Sequence, residues 1–178
     1  EEPGCYAPAT QGGWVIALRS GIYRAQTWGG PMQLLAAAPY DTSRLRFNDG
    51  KCDPDGNFWS GSMYEPRDQA AAVLYALQAD GELTAKAGEA TVANGLAWAP
   101  DGKTLYWSDT AAHCIRAWDY AADTQAMTRA RVFAQFPLKP KNWAYGTPSA
   151  HAYAGRPDGA AVDAEGHYYA AMYEGHRL

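Results

Sequence analysis

An internal repeat constrains the fold of this chain more than any other feature of its sequence. Three segments, at residues 48–59, 94–107 and 158–169, share one design. Each begins with Asn or Asp followed closely by Gly, continues as a short strand, turns through an acidic residue and Gly, and ends in an aromatic strand. Such self-similarity indicates a fold that is built from repeated units of several strands.

The spacing of the repeat predicts a β-propeller. Gly50 and Gly95 are 45 residues apart, and the equivalent Gly159 follows after 64. The extra 19 residues fall in 137–155, which lack clean periodicity and are predicted to form an insertion loop. A period near 45 residues is typical of four-stranded propeller blades. A six-bladed ring needs roughly 270 residues at this period. The single domain predicted for residues 1–178 is therefore expected to be an incomplete propeller of about four blades.

Turn signals between short apolar segments support the all-β prediction. The 18 Gly and 11 Pro, with 12 Tyr and 7 Trp, are typical of a strand-rich chain with many turns. Residues 69–78 are Ala-rich and helical by propensity, but the Asp80-Gly81 turn after them favours a strand over 73–78. Other strands are predicted at 14–19, 22–27, 57–63, 82–86, 105–108, 115–120, 131–136 and 167–173.

Charge and cysteine content exclude several classes of function. The net charge is −4 and the 15 basic residues are scattered, which argues against nucleic-acid and membrane-surface binding. No apolar run approaches the ~20 residues that span a bilayer, and residues 1–10 do not resemble a signal peptide. Cys5, Cys52 and Cys114 are too few and too widely spaced for a disulfide framework. A cytoplasmic location without an obligate protein partner is expected.

Polar residues recur at one position of the repeat and suggest a metal site. Asp49, Asn94 and Asp158 stand just before the predicted inner strands, with Asn48 beside the first. Inner strands line the central channel of a propeller, so these side chains are expected to converge there. Carboxylate and amide oxygens suit a hard divalent cation, and the absence of Cys and His from these positions argues against structural zinc. Any one of these dipeptides alone is also an ordinary turn signal.

Other polar and aromatic residues are weaker candidates. His113 and Asp109 are four residues apart and could form an acid–base pair, although ordinary loop roles are favoured. His151, Trp143 and Tyr145 lie in the insertion, which could overhang the channel, but a solvated histidine and plain aromatic packing are favoured. The acidic-Gly turns at Asp55, Asp101 and Glu165 are predicted to be structural.

Three segments, 46–51, 94–98 and 156–160, resemble the internal hallmarks of the SMP-30/gluconolactonase/luciferin-regenerating-enzyme family. The strand pair at 13–27 also resembles the first-blade region of that family, so the resemblance covers essentially the whole chain. It implies a six-bladed propeller with one divalent cation, which is expected to be calcium, zinc, manganese or magnesium. It also implies hydrolysis of small sugar lactones to the corresponding sugar acids.

The resemblance assigns roles to five residues. Asn94 and Asp158 match metal ligands of the family, and Asp158 also matches its proposed general base. Arg46 and Asn48 match a substrate-binding pair, and Glu65 is close to another substrate contact. The chain departs from the family at its first ligand, a Glu in a Gly-Glu-Gly-Pro segment, because no such segment occurs in this sequence. One ligand is therefore expected to be missing.

Three functions are compatible with these residues. The first is a metal-dependent lactonase whose partner is a small sugar lactone. The second is a non-catalytic calcium-binding or regulatory propeller, and the third is a protein-binding propeller. Converging Asn94, Asp158 and Arg46 disfavour the third, because a binding propeller needs no polar centre on its axis. Fold does not determine function, and the sequence does not separate the first two.

Overall fold

The computed structural model describes residues 1–146 and 153–178, and these form an all-β structure, as predicted. The described residues contain fourteen strands and no helix. The strands are β1 (Pro3–Pro8), β2 (Trp14–Leu18), β3 (Gly21–Ala25), β4 (Met32–Ala37), β5 (Leu45–Cys52), β6 (Phe58–Tyr64), β7 (Ala72–Leu77), β8 (Leu83–Ala90), β9 (Ala93–Trp98), β10 (Thr104–Asp109), β11 (Cys114–Ala121), β12 (Ala126–Gln135), β13 (Arg156–Val162) and β14 (Tyr168–Tyr173). Within these residues, no helix has the length and apolar composition to cross a membrane.

The chain divides into two compact units, Glu1–Ala93 and Asn94–Leu178. The first unit contains two four-stranded antiparallel sheets, β1-β2-β3-β4 and β5-β6-β7-β8. Each strand pairs with the next one along the chain, which is the meander expected of a propeller blade. The core between the two sheets includes Ile22 and Ala17 from the first sheet and Phe47, Phe58 and Tyr75 from the second.

The second unit contains one four-stranded sheet, β9-β10-β11-β12, and the two-stranded sheet β13-β14. Ile115 of β11 packs with Ala170 and Met172 of β14, and Phe136 and Tyr168 cover this cluster. Three four-stranded meanders and one further hairpin agree with the prediction that this chain contains about four blades of a propeller. A six-bladed ring and a single domain stay predictions.

Most predicted strands are confirmed to within a few residues, including β7, which ends at Leu77. Two strands were not predicted. β1 begins and ends with Pro and contains Gly, residues that are depleted in strands, and it forms because it pairs with β2 and buries Ala7. β4 is an outer strand with exposed Met32 and Leu34, so it lacks the alternation of a half-buried strand. Residues 137–146 and 153–155 contain no strand, in agreement with the predicted insertion loop.

Candidate functional site

The repeated Asn/Asp-Gly positions lie inside strands β5, β9 and β13, so the prediction that they stand just before the strands was wrong. Two of these strands contain a bulge at this position. The strand register shifts between Phe47 and Gly50 in β5, and between Pro157 and Ala160 in β13. The chain therefore stays extended while local pairing is interrupted. Such bulges re-aim side chains and are common beside active sites.

In the second unit, a hydrogen-bonded chain connects Asn94 to the residue before Asp158. The buried Asn94 donates from Nδ2 to the Thr110 hydroxyl oxygen at 2.8 Å. The same hydroxyl donates to the carbonyl oxygen of Pro157 at 2.6 Å. Sequence reasoning missed Thr110, because a lone threonine in the turn between β10 and β11 carries no periodic or motif signal.

Gly95 allows β9 to approach β13 closely. Its φ of +59° lies in the left-handed region that favours glycine. A Cβ atom at this position would lie 2.6 Å from Ser108 Oγ and 2.9 Å from the Asp158 carbonyl oxygen, which is too close for any other residue. The Tyr168 hydroxyl donates to the Gly95 carbonyl oxygen at 2.6 Å. The backbones at Gly95 and Asp158 are therefore in contact.

The Asp158 carboxylate is half-buried, and its environment suits a base or a cation ligand. Burial raises the pKa of Asp158, while the backbone N–H of Gly159 and the charge of Arg156 act in the opposite direction. A cation beside this carboxylate would offset the unfavourable free energy of burying its charge. Asp158 also lines an open cavity of about 530 Å³ together with Trp143, Tyr145, Glu174 and His176.

In the first unit, the structure brings together the three side chains predicted to bind substrate. Arg46 Nη1 donates to Asn48 Oδ1 at 3.1 Å, and Arg46 Nε lies 3.5 Å from Glu65 Oε1. Asn48 donates from Nδ2 to the carbonyl oxygen of Ala93 at 2.9 Å. Their substrate-binding role, and the convergence of this trio with Asn94 and Asp158 on one axis, stay predictions.

Arg19 holds Glu65 in place through two parallel hydrogen bonds. Nη1 donates to Oε2 and Nη2 donates to Oε1, both at 2.9 Å, and Nη1 also donates to the Thr42 carbonyl oxygen at 3.2 Å. The hydrogen bonds from Arg19 lower the pKa of Glu65. Sequence reasoning missed Arg19, whose only signal is a basic residue directly after an apolar strand.

The oxygen-only donor set of Asn94 and Asp158 fits a hard divalent cation. The described residues contain another group with metal-ligand chemistry: Asp163, Glu165 and His167, whose ligand atoms lie within 4.8 Å of one another. This group belongs to the turn between β13 and β14, where Asp163 Oδ1 accepts hydrogen bonds from the backbone N–H groups of Glu165 and His167. The turn role predicted for Glu165 agrees with this arrangement.

Two of the weaker sequence candidates, His113 and Asp109, lie in the protein interior. Only 3% of the surface of His113 and 5% of that of Asp109 is exposed. Asp109 Oδ1 accepts a hydrogen bond from the backbone N–H of Ala111. Burial lowers the pKa of His113. Trp143 packs against Tyr153 with ring centroids 5.4 Å apart. His151 lies outside the described residues.

Comparison with known proteins finds a matching family and similar structures. The family described as the SMP-30/gluconolactonase/LRE-like region matches residues 1–178. A 6-deoxy-6-sulfogluconolactonase from Pseudomonas putida is 38% identical over 178 residues, which are 100% of this chain and 56% of that protein. Two solved structures are similar at 26% identity. A luciferin-regenerating enzyme has a TM-score of 0.83, over 98% of this chain and 57% of its own. A calcium-binding protein, regucalcin, from Agrobacterium tumefaciens has a TM-score of 0.78, over 99% and 58%.

The chain therefore spans little more than half the length of each of these relatives. The family match nevertheless extends over every residue of the chain, and the similar structures cover nearly all of it. On this evidence the chain belongs to the SMP-30/gluconolactonase/LRE-like family.

Proposed function

We propose that the protein hydrolyses small sugar lactones to sugar acids, with a divalent cation held by Asn94 and Asp158. The observation that carries the proposal is the hydrogen-bonded chain from Asn94 through Thr110 to Pro157, the neighbour of Asp158. Family membership and the similar 6-deoxy-6-sulfogluconolactonase support a sugar lactone as the substrate class.

Asp158 is the proposed general base. It takes a proton from the attacking water as the water oxygen bonds to the lactone carbonyl carbon. When the ring C–O bond breaks, the departing alkoxide recovers that proton, and the carboxylate is restored. Burial raises the pKa of Asp158, whereas a cation bound by the same carboxylate would lower it, so the basicity of Asp158 would depend on the balance of the two.

A bound cation would polarise the lactone carbonyl and stabilise the negative charge that develops on its oxygen. Asn94 and Asp158 supply oxygen donors for it, which favours calcium, magnesium or manganese over softer metals. The similarity to a structure named as a calcium-binding protein supports calcium as the first cation to test.

Arg46, Asn48 and Glu65 are the proposed substrate-binding residues. The planar guanidinium of Arg46 suits sugar hydroxyls or the carboxylate of the product. Glu65 accepts hydrogen bonds, and Asn48 both donates and accepts them. The mutual contacts of these three side chains reduce the number of rotamers each can adopt, which limits the entropy that substrate binding would cost.

The decisive experiment compares the intact protein with its Asp158→Asn variant. Lactone opening is followed by pH-stat titration over a panel of sugar lactones, including 6-substituted ones, with each divalent cation. We expect Asp158→Asn to lower turnover at least about 100-fold, as expected for loss of a general base, with an unchanged circular dichroism spectrum. Glu165→Gln is the matched control, because Glu165 is an exposed carboxylate in the turn that joins the two strands of the same sheet.

A non-catalytic calcium-binding role is the second candidate, favoured by the same calcium-binding relative. It would be supported by saturable calcium binding without hydrolysis of any lactone in the panel. If Asp158→Asn hydrolysed lactones as fast as the unmodified protein, Asp158 would be excluded as the base.

A further inference from the structure

We infer that Thr110 is a positioning residue that determines which end of the Asn94 side-chain amide faces the proposed cation. The inference rests on the proposed function, because it concerns the same metal site. Thr110 is 7% exposed and lies between β10 and β11, and its hydroxyl contacts both Asn94 and Pro157. It would not touch substrate or cation, and it would act through Asn94.

The direction of the two hydrogen bonds follows from the chemistry of the three groups. The Pro157 carbonyl oxygen can only accept, so the Thr110 hydroxyl donates its single hydrogen to it at 2.6 Å. Thr110 Oγ1 can then only accept from Asn94, and the amide nitrogen is the only donor of that side chain. Asn94 Nδ2 therefore faces Thr110 at 2.8 Å, and Oδ1 lies on the opposite side of the amide carbon.

This orientation matters because only one end of an amide can bind a cation. The oxygen has lone pairs for coordination, whereas the NH₂ group would present hydrogens to the positive charge. Without the Thr110 hydroxyl, this hydrogen-bonded chain would lose the acceptor that selects the nitrogen end of the amide. Second-layer partners that orient ligands in this way typically contribute 10–100-fold to metal affinity.

The same hydroxyl also ties Asn94 to the backbone that carries Asp158. Pro157 is fully buried and directly precedes the bulged residues of β13. Gly95 also lies against the Asp158 carbonyl oxygen, so β9 and β13 approach each other closely at the two proposed ligands. Thr110 thus connects the Asn94 side chain to the strand that carries Asp158, although the two proposed ligands are 64 residues apart in sequence.

The test is a double-mutant cycle read by metal affinity. Calcium and manganese are titrated calorimetrically into the intact protein and into Thr110→Ser, Thr110→Val, Asn94→Asp and the Asn94→Asp, Thr110→Val double variant. Thermal denaturation without metal reports folding. We expect Thr110→Ser to bind within about 3-fold of the unmodified protein, and Thr110→Val to bind about 10–100-fold more weakly. In the Asn94→Asp background, Thr110→Val should have little effect, because both carboxylate oxygens can bind a cation.

Each alternative result has a definite meaning. Unchanged affinity in Thr110→Val would overturn the positioning role while leaving the proposed function intact. Equal losses in Thr110→Ser and Thr110→Val would assign the effect to packing and would also overturn it. If Thr110→Val weakened metal binding equally in the Asn94→Asp background, amide orientation would not be the cause. An unmodified protein that binds no divalent cation would overturn both this inference and the proposed metal site.

A second measurement avoids the risk that Thr110→Val does not fold. In the unmodified protein, nuclear magnetic resonance resolves the two side-chain amide protons of Asn94. We expect one of them to be protected from solvent exchange, and to stay protected when calcium is added. Rapid exchange of both protons would overturn the inference.

Discussion

At the scale of single residues, the bidentate pair between Arg19 and Glu65 organises the candidate substrate-binding side chains of the first unit. Glu65 contacts both Arg19 and Arg46, and Arg46 contacts Asn48. The Glu65 side chain is 34% exposed, so solvent screens this pair, and its direct contribution to stability is expected to be below about 1 kcal/mol. Its main effect is on the orientation and charge of Glu65.

Replacing Arg19 with Gln should raise the pKa of Glu65 towards its ordinary value, because the hydrogen bonds from Arg19 are the main cause of the lowered pKa. A lowered native pKa stabilises the folded protein above the unfolded pKa, and this stabilisation is lost as the pH falls through the native value. Arg19→Gln should therefore weaken the acid dependence of stability in that window.

Nuclear magnetic resonance of the Glu65 carboxyl carbon, titrated with acid, measures the change. Arg24→Gln is the matched control, because Arg24 donates to the Gly12 carbonyl oxygen and sits on the neighbouring strand. An unchanged Glu65 pKa in Arg19→Gln would contradict the prediction.

At the scale of elements, one capped turn recurs in both units. Between β5 and β6, Asp53 Oδ1 accepts hydrogen bonds from the backbone N–H groups of Asp55 and Asn57, and Oδ2 accepts one from Trp59 Nε1 at 3.0 Å. Between β13 and β14, Asp163 accepts the equivalent backbone hydrogen bonds. The acidic-Gly pattern of these two turns therefore has a structural cause, but their capping residues are Asp53 and Asp163 rather than the acidic residue beside the Gly.

Removing the Asp53 cap should destabilise the protein because Trp59 is fully buried. Asp53→Ala leaves its indole N–H without this acceptor and removes the turn hydrogen bonds. We expect the free energy of unfolding to fall by about 2–3 kcal/mol. Urea denaturation of the unmodified protein and of Asp53→Ala measures this difference in the free energy of unfolding.

The matched control is Asp163→Ala, which removes the same cap from a more exposed turn. It should have a smaller effect, because water can replace the lost hydrogen bonds there. Equal losses in the two variants would show that burial of Trp59 is not the reason.

At the scale of the whole molecule, an exposed aromatic cluster is prominent. Tyr6 and Trp28 are 54% and 67% exposed, and both contact Trp14 edge-on with ring centroids 5.5 and 5.7 Å apart. Contiguous apolar surface of this kind promotes association. The outer strands β4 and β12 also expose large apolar side chains, among them Leu34 and Val132.

We therefore expect the 178-residue chain, expressed alone, to self-associate, and Tyr6→Ser with Trp28→Ser to shift it towards monomer. Sizing chromatography with light scattering measures the mass. Leu138→Ser is the control, because Leu138 is 70% exposed but lies in the insertion loop. A monomer that the paired substitution leaves unchanged would contradict the prediction.

The fold class was predictable because its signals are local. Short apolar or aromatic segments beside acidic-Gly turns identify strands such as β6, β7 and β10 from neighbours in the sequence. β1 and β4 were not predictable in this way, since β1 gains its burial by pairing with β2 and packing against β5, and β4 is an exposed outer strand. The bulges in β5 and β13 depend on pairing register, which composition does not encode.

The repeat, the all-β class and the family could be recognised without the structure, and so could the candidate site residues Arg46, Asn48, Glu65, Asn94 and Asp158. The hydrogen-bond partners of these residues could not be predicted and follow from the packing of the strands. Arg19 and Glu65 are 46 residues apart, and Thr110 and Pro157 are 47 apart. A hydrogen bond across such a distance depends on how the strands pack, whereas a turn or a short apolar strand depends on the residues beside it in the sequence.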